Sequence, residues 1–283
     1  MISVTSLSSY LYCQRKLFLE RVLGLFEIPK AALIKGTVRH ETYDLINKSE
    51  EDFVKSIIKK TSFDELKQKY KREYEKLLRQ VVIKNKFKIQ KVDLLPLDLF
   101  EKVLPMIRAE AEIRADKIYT FISKHNVFGV ELWDKLTPKI ISEQRIDSQT
   151  LSLKGIIDQI EVYGEDYVPI ELKTGKCPSE GVWPGHRIQL AAYAMLIEDK
   201  FKKNVKEGFV NYLDTMQRRH ISINQFLRLE IVELVEKVKL LLNGFEIPKI
   251  SKNENKCTVC SLKDKCFDEE SLEKLVEEKK QKL

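Results

Sequence analysis

The sequence predicts an α/β (α+β) chain whose core runs helix, three strands, helix, two strands, helix, with a helical block inserted before the first strand. Three observations predict it. Residues 139–147, 151–162 and 167–173 are short runs rich in Ile, Leu and Val bounded by turn residues, as strands are. Segments before and after them carry apolar residues at helical spacing. Residues 50–91 hold 13 Lys/Arg against 7 Asp/Glu, in the pattern of long charged helices.

Taken in order, residues 5–22 read as a helix capped by Thr5 or Ser6, with Leu7, Leu11, Leu17 and Phe18 near helical spacing and Cys13 on it. A loop at Pro29 follows, then a helix over 36–48 starting at Gly36 and carrying His40, Tyr43 and Asp44. In the block, Phe53, Ile57, Ile58, Leu66, Leu77 and Leu78 are the apolar positions, and Pro105 is a kink or first-turn residue of the helix over 97–124. Tyr163-Gly164-Glu165-Asp166 turns the second strand into the third, forming a hairpin. A helix over 185–199 carries Gln189 and Tyr193, and strands 208–214 and 218–223 follow. The helix 225–243 has Asn224 as N-cap and Gly244 as C′ residue. Phe-Glu-Ile-Pro-Lys occurs at both 26–30 and 245–249, by chance or as two similar loops.

The chain has 283 residues, 43% of them hydrophobic, which suffices for a sizeable core in one large domain or two small ones. No apolar run approaches the ~18 residues of a membrane span, and no basic segment precedes the first apolar residues as in a signal peptide. A soluble, cytoplasmic protein is expected. Five cysteines in so long a chain do not make a disulfide scaffold, and clustered thiols in a reducing compartment bind metal. The surplus of 6 positive charges in 50–91 carries nearly all of the net +7. Either a nucleic-acid backbone or a solvated helix face accounts for it.

Chemistry concentrates in one constellation: His40, then Gly155-Ile156-Ile157-Asp158, then Glu171-Leu172-Lys173, then Gln189 and Tyr193. Cleaving a phosphodiester near neutral pH needs a hard cation, and Mg²⁺ and Mn²⁺ favour carboxylate and carbonyl oxygens. Strand side chains alternate, so Glu171 and Lys173 share a face. Asp158, on the neighbouring strand, and the Leu172 carbonyl are candidate ligands, and His40 is the candidate to complete the shell. Lys173 is placed to orient water or stabilise the phosphate. Gln189 and Tyr193, four apart, share a helix face that His186 lies on or near. Glu143 on the first strand is either a further acidic contributor or, the expected reading, structural or supporting. Arg187, Arg218, Arg219 and His220 are either phosphate contacts or solvated surface. A chance Asp and Glu-x-Lys are common singly; their joint order is what points to a nuclease.

A second constellation is Cys257-x₂-Cys260-x₅-Cys266, with Cys13 as its remote fourth member and Cys177 left aside as structural or incidental. Four thiolates suit Zn²⁺ or an iron–sulfur cluster. One very remote ligand leans toward [4Fe–4S]. Either would tie the first helix to the C-terminal tail.

Together these residues resemble the RecB-type nucleases of the PD-(D/E)XK superfamily, and within it the CRISPR-associated exonucleases of the Cas-four type, over residues 1–48 and 140–270. The resemblance implies a restriction-endonuclease-like core, a central mixed sheet flanked by helices. It implies a [4Fe–4S] cluster on Cys13, Cys257, Cys260 and Cys266. It implies metal ligation by His40, Asp158, Glu171 and the Leu172 carbonyl, with Lys173 catalytic beside Asp158, Glu171, Gln189 and Tyr193. Mg²⁺- or Mn²⁺-dependent cutting of single-stranded or end-frayed DNA follows, often from a 5′ end, trimming fragments for CRISPR integration proteins. The organisation expected is an N-terminal segment 1–48, an inserted basic region 49–138, a nuclease core 139–244 and a cluster segment 245–283. The stretch between His40 and Asp158 is much longer than a compact member needs. Two alternatives remain: a RecB-like repair nuclease outside CRISPR, and a non-catalytic DNA-binding adaptor stapled by zinc.

Overall fold

The computed structural model describes residues 1–26, 30–250 and 253–281. The loop at Pro29 and the middle of the first Phe-Glu-Ile-Pro-Lys lie outside the described residues.

The expected first helix is two helices, α1 (Val4–Tyr12) and α2 (Gln14–Arg21). Ser3, not Thr5 or Ser6, caps α1: its hydroxyl accepts from the Ser6 N–H at 3.2 Å. Cys13 sits in the break, with extended backbone. Its N–H ends α1 on the Ser9 carbonyl, and its sulfur accepts from the Lys16 N–H at 3.4 Å to start α2. A side chain that offers the backbone another acceptor competes with helix continuation. That local chemistry removes Cys13 from the helix on which periodicity places it. Strand β1 (Ile2–Ser3), too short to read from sequence, adds to the sheet.

The helix carrying His40, α3 (Ala31–Lys55), is longer than expected and runs through residue 48, so core and inserted block share it. The block continues as α4 (Phe63–Lys84), α5 (Lys86–Gln90), α6 (Pro96–His125) and α7 (Gly129–Lys135), the last not anticipated. Ser62 and Glu65 close a capping box at the start of α4. Pro96 takes the first-turn position of α6, and Pro105 lies inside that helix. The block's core is built on Tyr70, Tyr74, Leu66 and Leu78, whereas Ile58 is exposed. Its positive surplus is partly answered inside the molecule: Lys71 meets Glu112 of α6, and Lys84 meets Glu41 of α3.

The three strands fall where expected: β2 (Lys139–Ser148), β3 (Leu153–Tyr163) and β4 (Asp166–Lys173). After α8 (Pro184–Phe201) come β5 (Glu207–Tyr212), β6 (Gln217–Ser222) and α9 (Gln225–Asn243). Asn224 caps α9 as expected, accepting from Leu227 N–H at 2.9 Å. Gly244 does not take the left-handed conformation of a C′ glycine; its φ is −91°. The tail forms α10 (Glu254–Thr258), α11 (Lys263–Phe267) and α12 (Glu269–Gln281).

The sheet is mixed. β3 pairs with β2 along one edge. Its other edge holds β1 near the start and β4 near the end. β4 pairs parallel with β5, which pairs antiparallel with β6. Apolar residues of α1, α8 and α9 cover one face. The other face, through Val168, Ile170 and Leu172, packs on α3, α4 and α6. The inserted block is thus a structural layer of the sheet. A smaller cluster joins Phe18 and Leu19 of α2 to Leu262, Leu272 and the second Phe-Glu-Ile-Pro-Lys. No helix among the described residues is long and apolar enough to cross a membrane.

Candidate active site and thiol cluster

The site lies where β3 and β4 part. Their pairing runs from Tyr163↔Asp166 to Gln159↔Ile170 and stops there. Asp158, the next residue, spans the gap: its Oδ2 accepts from the Leu172 N–H at 2.7 Å. Its Oδ1 lies 3.2 Å from Nδ1 of His40 on α3. Opposite Asp158 stands Glu143 of β2, whose φ is +48°. A side chain other than glycine held in that left-handed region costs ~1–3 kcal/mol. The pair is the one position missing from the ladder between Lys139↔Val162 and Ser148↔Leu153. Both strands change face there. Ile157 and Ile160 lie in the same core although three apart, and Ile141 and Ile146 share it although five apart. Alternation would forbid both. The local turn gathers one ligand atom each from His40, Glu143 and Asp158 within 4.8 Å of one another.

Burial opposes a charge on His40, but the hydrogen bond and charge of Asp158 outweigh it and hold the imidazole above its ordinary value. Burial, then Asp158, raises the carboxyl of Glu143.

Glu171 and Lys173 share the opposite side of β4. Glu171 is 2% exposed, with Oε1 at 2.6 Å from Lys173 Nζ and Oε2 buried without a partner. Gln189 knits the group: its Oε1 accepts from Lys173 at 2.9 Å, and its Nε2 donates to Glu171 at 2.6 Å and to the Tyr193 hydroxyl at 3.0 Å. Gln189 and Tyr193 do share a face, as their spacing requires. Burial, then the charge of Asp158, pushes Glu171 up to about 8 against the opposing pull of Lys173. A carboxyl raised in the folded state stabilises the fold fully below its unfolded value of about 4.5, and that contribution is lost as pH rises through about 8. His40, also raised, acts in the same direction. Metal-free protein is therefore expected to lose thermal stability across that window, and Glu171→Gln to flatten the slope. A wild-type Tm that rises from pH 4.5 to 8 in calorimetry would contradict this.

Gly155 explains itself at the same helix. A Cβ there would meet the Tyr193 ring at 2.7 Å, Val4 at 3.2 Å and Leu196 at 3.3 Å. Gly155→Ala is expected to cost about 1–3 kcal/mol by overpacking and to displace Tyr193. An unchanged unfolding midpoint in denaturant would show that α8 yields without cost.

All five cysteines are free thiols. Cys13, Cys257, Cys260 and Cys266 line one cavity between α2 and the tail, and Cys177 lies elsewhere, against the main core. Beside the four thiols is a residue the sequence did not single out. Arg15 donates to the carbonyls of Pro248 (2.8 Å) and Cys266 (3.2 and 2.8 Å) and to Glu269 (2.8 Å). Periodicity alone gives no sign of it. Nor did sequence find Asp214, which pairs with Arg39 and accepts from Gly175 N–H at 2.6 Å, where φ is +103°. The suggested phosphate contacts are engaged within the molecule: Arg187 with Glu230, Arg218 with Glu161, His220 with Glu207, and Arg219 with the Ser179 carbonyl.

A model of the PD-(D/E)XK nuclease superfamily matches residues 1–267. The chain belongs to the PD-(D/E)XK nuclease superfamily. Relatives of this superfamily member bear out the resemblance to CRISPR-associated exonucleases. A CRISPR-associated exonuclease Cas4/endonuclease Cas1 fusion of Leptospira interrogans is 29% identical over 152 residues, 50% of this chain and 28% of its own. The CRISPR-associated exonuclease Cas4 of Francisella tularensis subsp. novicida is 27% identical, over 44% of this chain and 60% of its own. A DNA replication ATP-dependent helicase/nuclease of Arabidopsis thaliana is 26% identical, over 47% of this chain and 11% of its own. The chain thus spans less than two thirds of the length of each of these relatives. The crystal structure of SSO0001 aligns with 60% of this chain and 79% of its own, at a TM-score of 0.30 and 16% identity.

Proposed function

We propose that this PD-(D/E)XK nuclease is a Mg²⁺- or Mn²⁺-dependent exonuclease that degrades single-stranded DNA from the 5′ end, carries a [4Fe–4S] cluster, and prepares DNA for CRISPR spacer acquisition. The observation that carries it is the fork of β3 and β4, where Asp158, Glu171 and Lys173 meet His40 and Glu143. The donor set fits a hard divalent ion. It offers carboxylate oxygens, an imidazole and the Leu172 carbonyl, and the buried Glu171 Oε2 has no protein partner. His40, Asp158, Glu171 and Leu172 would hold the ion, with Glu143 beside them. When bound, it supplies Lewis-acid charge at the phosphate and makes a water acidic.

The protein's own groups do the rest. Glu171 and Gln189 aim the Lys173 ammonium, which brings fixed positive charge to the phosphate as negative charge develops. Gln189 and Tyr193 act through Lys173 and are positioning residues. For the thiols, the spacing of three local cysteines with one very remote partner at Cys13 favours the cluster over zinc. The Leptospira relative, whose name joins Cas4 to Cas1, supports a spacer-integration protein as partner. The Arabidopsis relative keeps DNA replication or repair as the second context.

The test is Mn²⁺-dependent degradation of a strand labelled at either end. Loss of a 5′ label as the first short product supports the reading; inert protein with a full cluster sinks it.

A further inference from the structure

Lys173 and Gln189 also line a cleft that reaches beyond the active site. This cleft, about 630 Å³, runs from α8 along α1 and α2 to Lys256 of α10. Tyr12, Lys16, Trp183, His186 and Lys256 line it along with Lys173. Two of these are large aromatic rings left in solvent, Tyr12 at 43% and Trp183 at 48% exposure. Neither ring is loose. Trp183 Nε1 donates to the Lys176 carbonyl at 3.0 Å, and its N–H to the Tyr212 hydroxyl at 3.4 Å. Lys256 Nζ donates to the Tyr12 carbonyl at 2.8 Å and stands 4.8 Å from the centre of its ring, with Lys16 at 5.9 Å. Lys16 is also 3.7 Å from Glu20, an acid on the same wall.

Fixed, exposed rings flanked by ammonium groups suit one class of ligand. A base offers its π-face to such a ring only when it is unpaired, and its phosphates find the cations alongside. A duplex stacks its faces inward and offers only its backbone, for which the rings serve no purpose. Resting on the nuclease reading for its destination, we propose that this cleft is the track of the single-stranded substrate. Tyr12 and Trp183 stack on successive bases, and Lys16 and Lys256 neutralise phosphates on the way to Lys173. The neighbouring cavity that holds the four thiols shares Tyr12, Lys16 and Lys256 with this cleft.

The test uses the full chain and a fluorescein-labelled oligodeoxythymidine, with a hairpin duplex as comparison. Ca²⁺ replaces Mn²⁺, so that binding is read without cutting. Trp183→Ala and Tyr12→Ala are each expected to weaken single-strand binding on the order of tenfold. Trp183→Phe, which keeps a ring, should lose less, and duplex binding should not change. Lys256→Gln should lower the slope of log affinity against log salt by about 0.7. Ala variants that bind single strands like wild type would overturn the track. So would equal losses for single strand and duplex. The two readings fail separately. Unaltered binding by Trp183→Ala alongside a dead Asp158→Ala removes the track and leaves the nuclease. Trp183-dependent binding in a wild type that never cuts removes the nuclease and leaves the track.

Discussion

Asp158→Ala is expected to lower Mn²⁺-dependent cutting of single-stranded DNA by more than about 100-fold, with the fold and the thiol cluster intact. One carboxylate ties three elements of the site: it holds His40 of α3, the backbone of β4 at Leu172, and a share of any cation between them. Removing one preorganised electrostatic group from an active site costs ~3–4 kcal/mol of transition-state stabilisation, a factor of 10²–10³. Asp158 serves both metal and geometry, so its loss should fall at the upper end. The same deletion relieves Glu171 and Glu143 of a neighbouring charge that raises both. In metal-free Asp158→Ala that relief opposes the loss of the bonds to the buried Leu172 N–H and to His40, so its stability near neutral pH should stay within about 2 kcal/mol of wild type. Rates on end-labelled strands, set beside a thermal scan, read both effects. Cutting within tenfold of wild type would dismiss the assigned site.

The largest expected effect outside the active site belongs to Arg15. Its guanidinium is 3% exposed and fastens α2 to the tail, 251 residues away in sequence. Arg15→Ala leaves the Pro248 and Cys266 carbonyls without their donor. Pro248 and Cys266 are half-buried, so each unpaired carbonyl costs toward the low end of ~1–3 kcal/mol, and the buried Arg15 side chain loses its packing as well. The exposed partner Glu269 adds little. A loss of about 3 kcal/mol corresponds to a Tm drop of roughly 6–12 °C. Burial raises the Cys266 thiol, and the Arg15 hydrogen bond works against that rise. Without it the thiolate is harder to form, and a thiolate is what binds iron. On the proposed [4Fe–4S] reading, Arg15→Ala should therefore be purified paler, with less iron and sulfide, and be cleaved early in the tail by protease. A variant as brown, as stable and as protease-resistant as wild type would show that the cluster alone holds the ends together.

Much of the site is legible in the sequence. Period-two alternation put Glu171 and Lys173 on one face, and a spacing of four put Gln189 over Tyr193; both hold because each depends only on local backbone geometry. The Cys257-x₂-Cys260-x₅-Cys266 loop is local in the same sense. Alternation failed at Glu143 and Asp158, where both strands switch face. That switch is made by a left-handed residue in a sequence with no glycine to announce it. The single helix over 5–22 failed for a related reason: the Cys13 sulfur caps a new helix inside an unbroken apolar pattern.

By itself, the sequence determined the order of strands β2 to β6 with α8 and α9, the carboxylates, imidazole and lysine of the site, and the thiols at both ends. These follow from composition and periodicity, which neighbouring residues impose on one another. Tertiary structure alone decided that Glu143 joins His40 and Asp158, that Arg15 anchors the tail, and that the helical block is a layer of the sheet. Each of these depends on contacts between segments far apart in sequence. Such contacts are selected by burying apolar faces together and satisfying the polar groups trapped between them.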